Sequence, residues 1–332
     1  MKVLCMGETL LRYSTQKGHR FRELDFQVHV GGSETNIAVN LARYGFETSL
    51  LTKIPNHALG DAVLSFLRAH HVDTSMIQRN DMRIGSYFLE NGNGKRTSQV
   101  IYDRQYSAMT SFCLDDIDLD TLFKDIDVFV VSGITVALNQ TVKAAVIEML
   151  RYCRGNNILV VYDNNYRSKM WSLEDAEKAF REILPYVNIL SAGHLDAIHF
   201  LHLKSSQTTF EGQLEDFYHQ IKALYPNLQY ITSTKREIYS TSVNDLTGYL
   251  YDGHLYKSPL YHIDDIVDRV GGGDAFLSGV LYGLLNHKDI DYCLQFGCCA
   301  SVLKHTIYGD ANDFDIQEIE SFMQADVGRI NR

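Results

Sequence analysis

The chain has 332 residues, 45% of them hydrophobic and 22% charged, which points to a soluble globular protein. Its 31 Lys and Arg stand against 41 Asp and Glu, a formal net charge of −10 that argues against unspecific nucleic-acid binding. No basic block is present to serve as a nucleic-acid or membrane arm, so an anionic substrate requires positive charge placed locally, inside a site.

The opening MKVLCMGETLL has too short an apolar core for a secretory signal and no small-residue cleavage site. No run approaches the roughly 18 consecutive apolar residues of a membrane helix. The β-rich runs 3–6, 48–54, 128–133, 158–163, 187–192 and 229–234 read as buried strands. Helical periodicity fills 34–45, 57–70, 139–154, 174–184, 211–224, 274–286 and 291–305. This alternation predicts the α/β class: a three-layer α/β/α, doubly wound, mostly parallel sheet. With only four prolines and no low-complexity linker, residues 1–332 read as one domain. Segments 11–30 and 82–106 depart from the rhythm, and Asn91-Gly92-Asn93-Gly94 is a hairpin turn signal. They predict a small β-sheet lid that shuts water out of the site. A plain surface hairpin or a dimerisation sheet has the same pattern, and a lid sheet can itself join two copies in a homo-oligomer. Six cysteines at 5, 113, 153, 293, 298 and 299 form no Cys-x-x-Cys or Cys/His pattern. Cys298 and Cys299 read as small buried thiols, and a cytoplasmic location is expected.

Two glycine-rich helix starts stand out. The first is Val30-Gly31-Gly32-Ser33-Glu34-Thr35-Asn36, where a helix opens with polar side chains on its first turn. The second is Gly271-Gly272-Gly273-Asp274, directly before an apolar helix. Glycines let the backbone approach a ligand, and the free N–H groups and positive dipole end of a helix attract an anion. A carboxylate beside such a cradle repels phosphate, unless it removes a proton from the hydroxyl that attacks the phosphorus. The plainer reading is a glycine turn with Asp274 as an N-terminal cap.

The pair of motifs, with strand–helix alternation between, resembles the ribokinase-like (PfkB) family of sugar kinases, from Gly7-Glu8 to Gly309. In that family an early Gly-Gly-x-x-x-Asn segment contacts the sugar, and a late Gly-x-Gly-Asp segment holds the base and anion hole. The resemblance implies Gly32, Ser33 and Asn36 at the sugar, Asp274 as catalytic base, and Gly271, Gly272 and Gly273 at the phosphoryl group, with ATP and Mg2+ as cofactors. Within the family, Ile101-Tyr102-Asp103-Arg104-Gln105-Tyr106-Ser107-Ala108 and Asp163-Asn164-Asn165-Tyr166-Arg167 with Trp171 are similar to segments of 2-dehydro-3-deoxygluconate kinases. That likeness implies that Tyr102, Arg104 and Arg167 hold a sugar acid and that its C6 hydroxyl is phosphorylated. The physics agrees: a 2-keto acid needs a cation for its carboxylate, and arginine offers a planar, permanently charged fork. Arg12, where many family members carry an acid, adds positive charge and disfavours a neutral sugar.

Departures from the family pattern touch the nucleotide side. The signature Asp-Thr-Thr-Gly-Ala-Gly-Asp becomes Asp268-Arg269-Val270-Gly271-Gly272-Gly273-Asp274, in which Arg269 is long enough to reach ATP phosphates or to face water. A magnesium-linked Asn-x-x-Glu is replaced by Gly193-His194-Leu195-Asp196, leaving Asp196 as the metal-side carboxylate. The nucleotide loop, Thr-x-Gly-x-x-Gly in the family, is Ser233-Thr234-Lys235-Arg236-Glu237; Ser233 and Lys235 are its expected nucleotide contacts. Gly309 matches a glycine by the adenine pocket. The expected partners are thus a small-molecule sugar acid and ATP. The rivals are a kinase for fructose or a deoxy-keto inositol acid, and a silent sugar-acid-binding protein. An NAD enzyme is disfavoured, because no Gly-x-Gly-x-x-Gly follows the strand at 3–6.

Overall fold

The computed structural model describes residues 1–115 and 117–324. Its main sheet holds nine strands. Six are parallel, in spatial order Tyr230–Ile238, Ile189–Ser191, Leu159–Asp163, Val128–Ser132, Lys2–Met6 and Glu47–Leu51. Side chains alternate across it, so each strand feeds two cores. Leu4, Met6, Phe129 and Val131 pack beneath helices Gln140–Gly155, Leu173–Ile183 and Phe210–Leu224. Val3, Cys5, Val128 and Val130 pack beneath Ser33–Arg43, Gly272–Leu285 and Ile290–Lys304. Two buried faces explain why these strands are apolar throughout. The doubly wound α/β architecture expected from the alternation is present, and Cys298 and Cys299 are buried free thiols.

The far edge is antiparallel. Strand Asn244–Tyr251 pairs with Tyr230–Ile238 and carries Leu255–Lys257 and Tyr261–Ile263. This changes the reading of residues 233–237: they are not a loop but part of a nine-residue strand, with Ser233 opposite Tyr249 and Lys235 opposite Thr247. Its outer half is polar because one flank faces an open crevice rather than a helix.

A second sheet has the order Phe26–Gly31, Leu10–Thr15, Gly85–Glu90, Gln99–Asp103. Two antiparallel pairs are joined by a parallel one, with Arg12 opposite both His29 and Tyr87. Its inner face buries Leu10, Tyr87 and Leu89 against Val100, Tyr102 and Val270, which hangs this lid sheet over the glycine-rich turn. The chain leaves Lys2–Met6 for Glu47–Leu51 on one side and later enters Val128–Ser132 on the other. In open α/β sheets such a reversal leaves a crevice at the carboxyl ends of the strands.

The first helix is fixed to the sheet by a buried carboxylate. Glu34 Oε1 accepts hydrogen bonds from the Ser132 backbone N–H at 2.9 Å, Ser132 Oγ at 2.7 Å and Thr135 Oγ1 at 2.7 Å. Burial raises its pKa, and these donors oppose that rise. Glu34→Ala leaves the three donors without a partner, and urea unfolding is expected to show a loss of about 3 kcal/mol. A change within the ordinary surface range of about ±0.5 kcal/mol would contradict this anchoring role.

Candidate active site

The crevice is a cavity of about 1170 Å³ at the carboxyl ends of the central strands, roofed by the lid sheet. Glu8, Ile134, Asp163 and Ser191 reach it from four successive strand ends, and Tyr87 and Tyr102 reach it from the lid. Gly32, Ser33, Asn36, Arg104, Arg167, Asp196, Ser233, Lys235, Gly271, Gly273 and Asp274 also lie on its wall. Residues 240 positions apart in the chain thus share one space.

Both helix starts depend on backbone only glycine adopts freely. Gly32 has φ 128° and Gly271 φ 81°; a Cβ would fall 2.3 Å from the Glu8 carbonyl oxygen at the first and 1.7 Å from that of Asp310 at the second. Helix Gly272–Leu285 therefore begins hard against its neighbours and presents its first turn to the cavity. Asp274, in that turn, is the centre of a short network. Ser33 Oγ donates to Asp274 Oδ1 at 2.8 Å, and Asn36 Nδ2 donates to Oδ2 at 2.7 Å. Asn165 Nδ2 donates to Ser33 Oγ at 3.0 Å, so three chain segments aim one carboxylate. Asn165 holds φ 41°, unusual for a side-chain-bearing residue and a mark of an over-determined site. Burial pushes the Asp274 carboxyl up to about 6, against its two hydrogen bonds and Arg167. Asp163 is pushed up to about 7, first by burial and then by the charge of Asp274.

The two expected sugar-acid arginines differ. Arg104 is 8% exposed and its Nε donates to Glu8 Oε2 at 2.6 Å; Ser107 donates to the other Glu8 oxygen. Arg104 Nη1 meets Met170 Sδ at 3.2 Å, which joins the motif at 101–108 to the one at 163–171. Its Nη2 is buried and has no hydrogen-bond partner among the described residues. Arg167 is exposed at the cavity edge, and among the described residues its side chain donates only to the Asn165 and Tyr166 carbonyls. Tyr102, in the last lid strand, and Arg104, just past that strand's end, both line the cavity.

Several expectations change. Gly272 does not line the cavity: it is buried, and a Cβ there would lie 2.6 Å from the His305 ring. As the first helical residue it faces inward, so of this run only Gly271, Gly273 and Asp274 line the cavity. Gly309 is also off the wall, its N–H committed to Asp268 Oδ2 at 3.2 Å. Arg12 is fully buried against Asp268 and Asp310, so its charge is neutralised and says nothing about the substrate. Asp196 lines the cavity, but its oxygens accept from Asn164 Nδ2 at 2.7 Å and the Gly193 N–H at 2.6 Å. Lys235 lies 2.9 Å from Glu237 and 4.9 Å from the Phe210 ring centre. Ser233 is nearly buried and accepts from Tyr218 at 2.7 Å.

The unpaired cations are instead Arg236 and Arg269. Both line the cavity, and neither has a carboxylate within 4.0 Å or a side-chain hydrogen bond among the described residues. Desolvation and the neighbouring Arg269 pull Arg236 down to about 10. Missed in the sequence, Arg236 had one signal: a cation in a stretch lacking the usual glycines. Glu8 and Asp163 had another, their place just at or beyond a strand's carboxyl end.

A family model for the pfkB family carbohydrate kinases matches residues 1–316. The chain belongs to the pfkB family. It is therefore a carbohydrate kinase. It is 31% identical to a 2-dehydro-3-deoxygalactonokinase of Haloferax volcanii, over the whole chain and 99% of that protein. Among solved structures it is similar to a PfkB family carbohydrate kinase of Listeria grayi (38% identity, 98% of this chain and 100% of that one, TM-score 0.93). It is equally similar in fold to a 2-dehydro-3-deoxygluconokinase of Thermotoga maritima (34% identity, 98% and 100% covered, TM-score 0.93). Among the described residues no helix is long and apolar enough to cross a membrane.

The pairing of Arg104 separates the arginines experimentally. Arg104→Met strands Glu8 and is expected to lower unfolding free energy by about 3 kcal/mol. Arg167→Met should stay within about 0.5 kcal/mol of wild type in the same urea titration. Equal effects would contradict the different environments described.

Proposed function

We propose that this kinase transfers the γ-phosphoryl group of magnesium-bound ATP to the C6 hydroxyl of 2-dehydro-3-deoxy-D-gluconate, giving 2-dehydro-3-deoxy-6-phosphogluconate. The observation that carries the reading is a carboxylate, Asp274, aimed into the cavity from the first turn of a helix whose N–H groups attract phosphate. Asp274 takes the O6 proton as the O6–P bond forms, and the P–O bond to ADP breaks with the electron pair leaving on ADP. The N–H groups of Gly273 and Asp274, which have no carbonyl ahead of them in the helix, stabilise charge on the phosphoryl oxygens.

The free Nη2 of Arg104, with Arg167 and Tyr102, supports a carboxylate at the far end of the sugar. Gly32, Ser33 and Asn36 line the same cavity and are read as contacts to the sugar hydroxyls near Asp274. Two kinases of sugar acids among the similar proteins point the same way. Arg236 and Arg269 are read as contacts to the ATP phosphates, with Ser233 deeper in the nucleotide half. Among the described residues no group of three or more His, Cys, Asp or Glu side chains is arranged to hold a metal. Magnesium bound with ATP would supply charge neutralisation at the phosphates, and Asp196, on the cavity wall, would be the carboxylate available to it.

The lid's outer face supports a homodimer. Val28, Tyr13, Phe88 and Ile101 form one in-register row across all four strands, and Val28 and Ile101 are more than half exposed. A second copy presenting the same row would cover it. Sedimentation should find a dimer for wild type and a monomer for Phe88→Glu; a monomeric wild type would contradict this.

The reaction is tested by ADP release with the gluconate and galactonate keto acids, fructose and ribose. Turnover on a keto acid alone is expected, reduced at least ~100-fold in Asp274→Asn with sugar-acid binding retained. Turnover on fructose alone would favour the fructokinase-like reading. ATP binding without turnover would favour a silent binding protein.

A further inference from the structure

The mechanism leaves unused the largest fully buried side chain, Arg12. It stands mid-strand in the lid sheet, on the inner face with His29 and Tyr87. Its Nη1 donates to Asp268 Oδ1 at 3.1 Å and its Nη2 to Oδ2 at 2.5 Å. Its Nε lies 3.0 Å from Asp310 Oδ1, and Tyr87 donates to Asp310 Oδ2 at 2.9 Å. Lys304, also fully buried, brings a second cation beside the two carboxylates, so the cluster is balanced in charge.

Both acids belong to backbone that shapes the phosphate cradle. Asp268 Oδ1 accepts the Val270 N–H at 3.0 Å, which sets the turn entering Gly271. The Asp310 main-chain carbonyl is the group pressed against Gly271, where a Cβ would lie 1.7 Å from it. Asp268 Oδ2 accepts the Gly309 N–H, tying the two segments together. A guanidinium fork bonded to both carboxylate oxygens fixes direction as well as distance, which a point-charge ammonium does not.

We propose that Arg12 is a positioning residue that transmits the seating of the lid sheet to the Gly271–Asp274 helix start. The cradle holds its working shape only while strand Leu10–Thr15 is docked through Arg12. Arg12 touches no substrate and acts through Asp268 and Asp310. The inference rests on the kinase reading given above.

The test compares wild type, Arg12→Lys, Arg12→Met and the triple variant Arg12→Met/Asp268→Asn/Asp310→Asn, which removes the charges facing Arg12 together with its own. Turnover, urea stability, MgATP affinity and affinity for magnesium–ADP–aluminium fluoride with sugar acid are measured for each. Arg12→Lys is expected to lower kcat by about 100-fold, the scale of a small misplacement of reacting groups. Its affinity for the aluminium fluoride complex should fall by the same factor, with MgATP affinity and both KM values unchanged. The triple variant should recover stability relative to Arg12→Met alone without recovering turnover. Turnover that returns with stability would overturn the proposal and leave Arg12 a stabilising residue. So would an Arg12→Lys enzyme with wild-type kcat. Wild-type protein that turns over none of the sugar acids, fructose or ribose would remove the kinase reading itself, and the inference with it.

Discussion

A carboxylate held at the amino end of a helix that attracts phosphate is the constraint on which the rest of the site depends. In the proposed reaction, repulsion between Asp274 and an incoming phosphoryl group must be offset, and the fold holds the carboxylate locally. Ser33 and Asn36, from the first glycine-rich helix start, bond both oxygens of Asp274, and Asn165 braces Ser33. The two helix starts are brought together because their helices cover the same sheet face, packed over Val3, Cys5, Val128 and Val130. The geometry of the proposed proton transfer is thus set by the ordinary packing of an α/β core.

Charge is the second organising factor. The surface is acidic overall, yet the cavity holds Arg104, Arg167, Arg236 and Arg269. They are not equivalent. Arg104 is half-satisfied by Glu8, which leaves one directed N–H pair rather than a diffuse cation. Arg236 and Arg269 repel each other, a cost that a polyanionic ligand relieves. Arg12 and Lys304, counted among the positive charges of the sequence, are consumed by Asp268 and Asp310 and offer nothing to a ligand.

Much of this was legible in the residues because it is local. Gly271-Gly272-Gly273-Asp274 announces a helix start near an anion, and continuous apolar runs announce doubly covered strands. What escaped was long-range pairing. Nothing in Leu10-Leu11-Arg12 names a partner 256 positions away, so a structural ion pair looked like a substrate clue. Glu8 and Arg104 are 96 positions apart, and the pair turns a free cation into a partly spent one. Residues 233–237 read as a loop only through the family resemblance, yet backbone pairing with Asn244–Tyr251 makes them a strand. Gly272 and Gly273 are neighbours of one type, and only the direction of the first helical turn puts the former against His305 and the latter in the cavity.

The most direct test of the central claim is the pH dependence of kcat/KM for the keto acid. Burial raises the Asp274 pKa to about 6, so the base is ionised above that value and lost to protonation below it. The account predicts an acidic limb with an apparent pKa near 6, shared with Asp163 because the two carboxylates interact. A limb near the ordinary aspartate value of about 4, or its persistence in Asp274→Asn, would contradict Asp274 as the base.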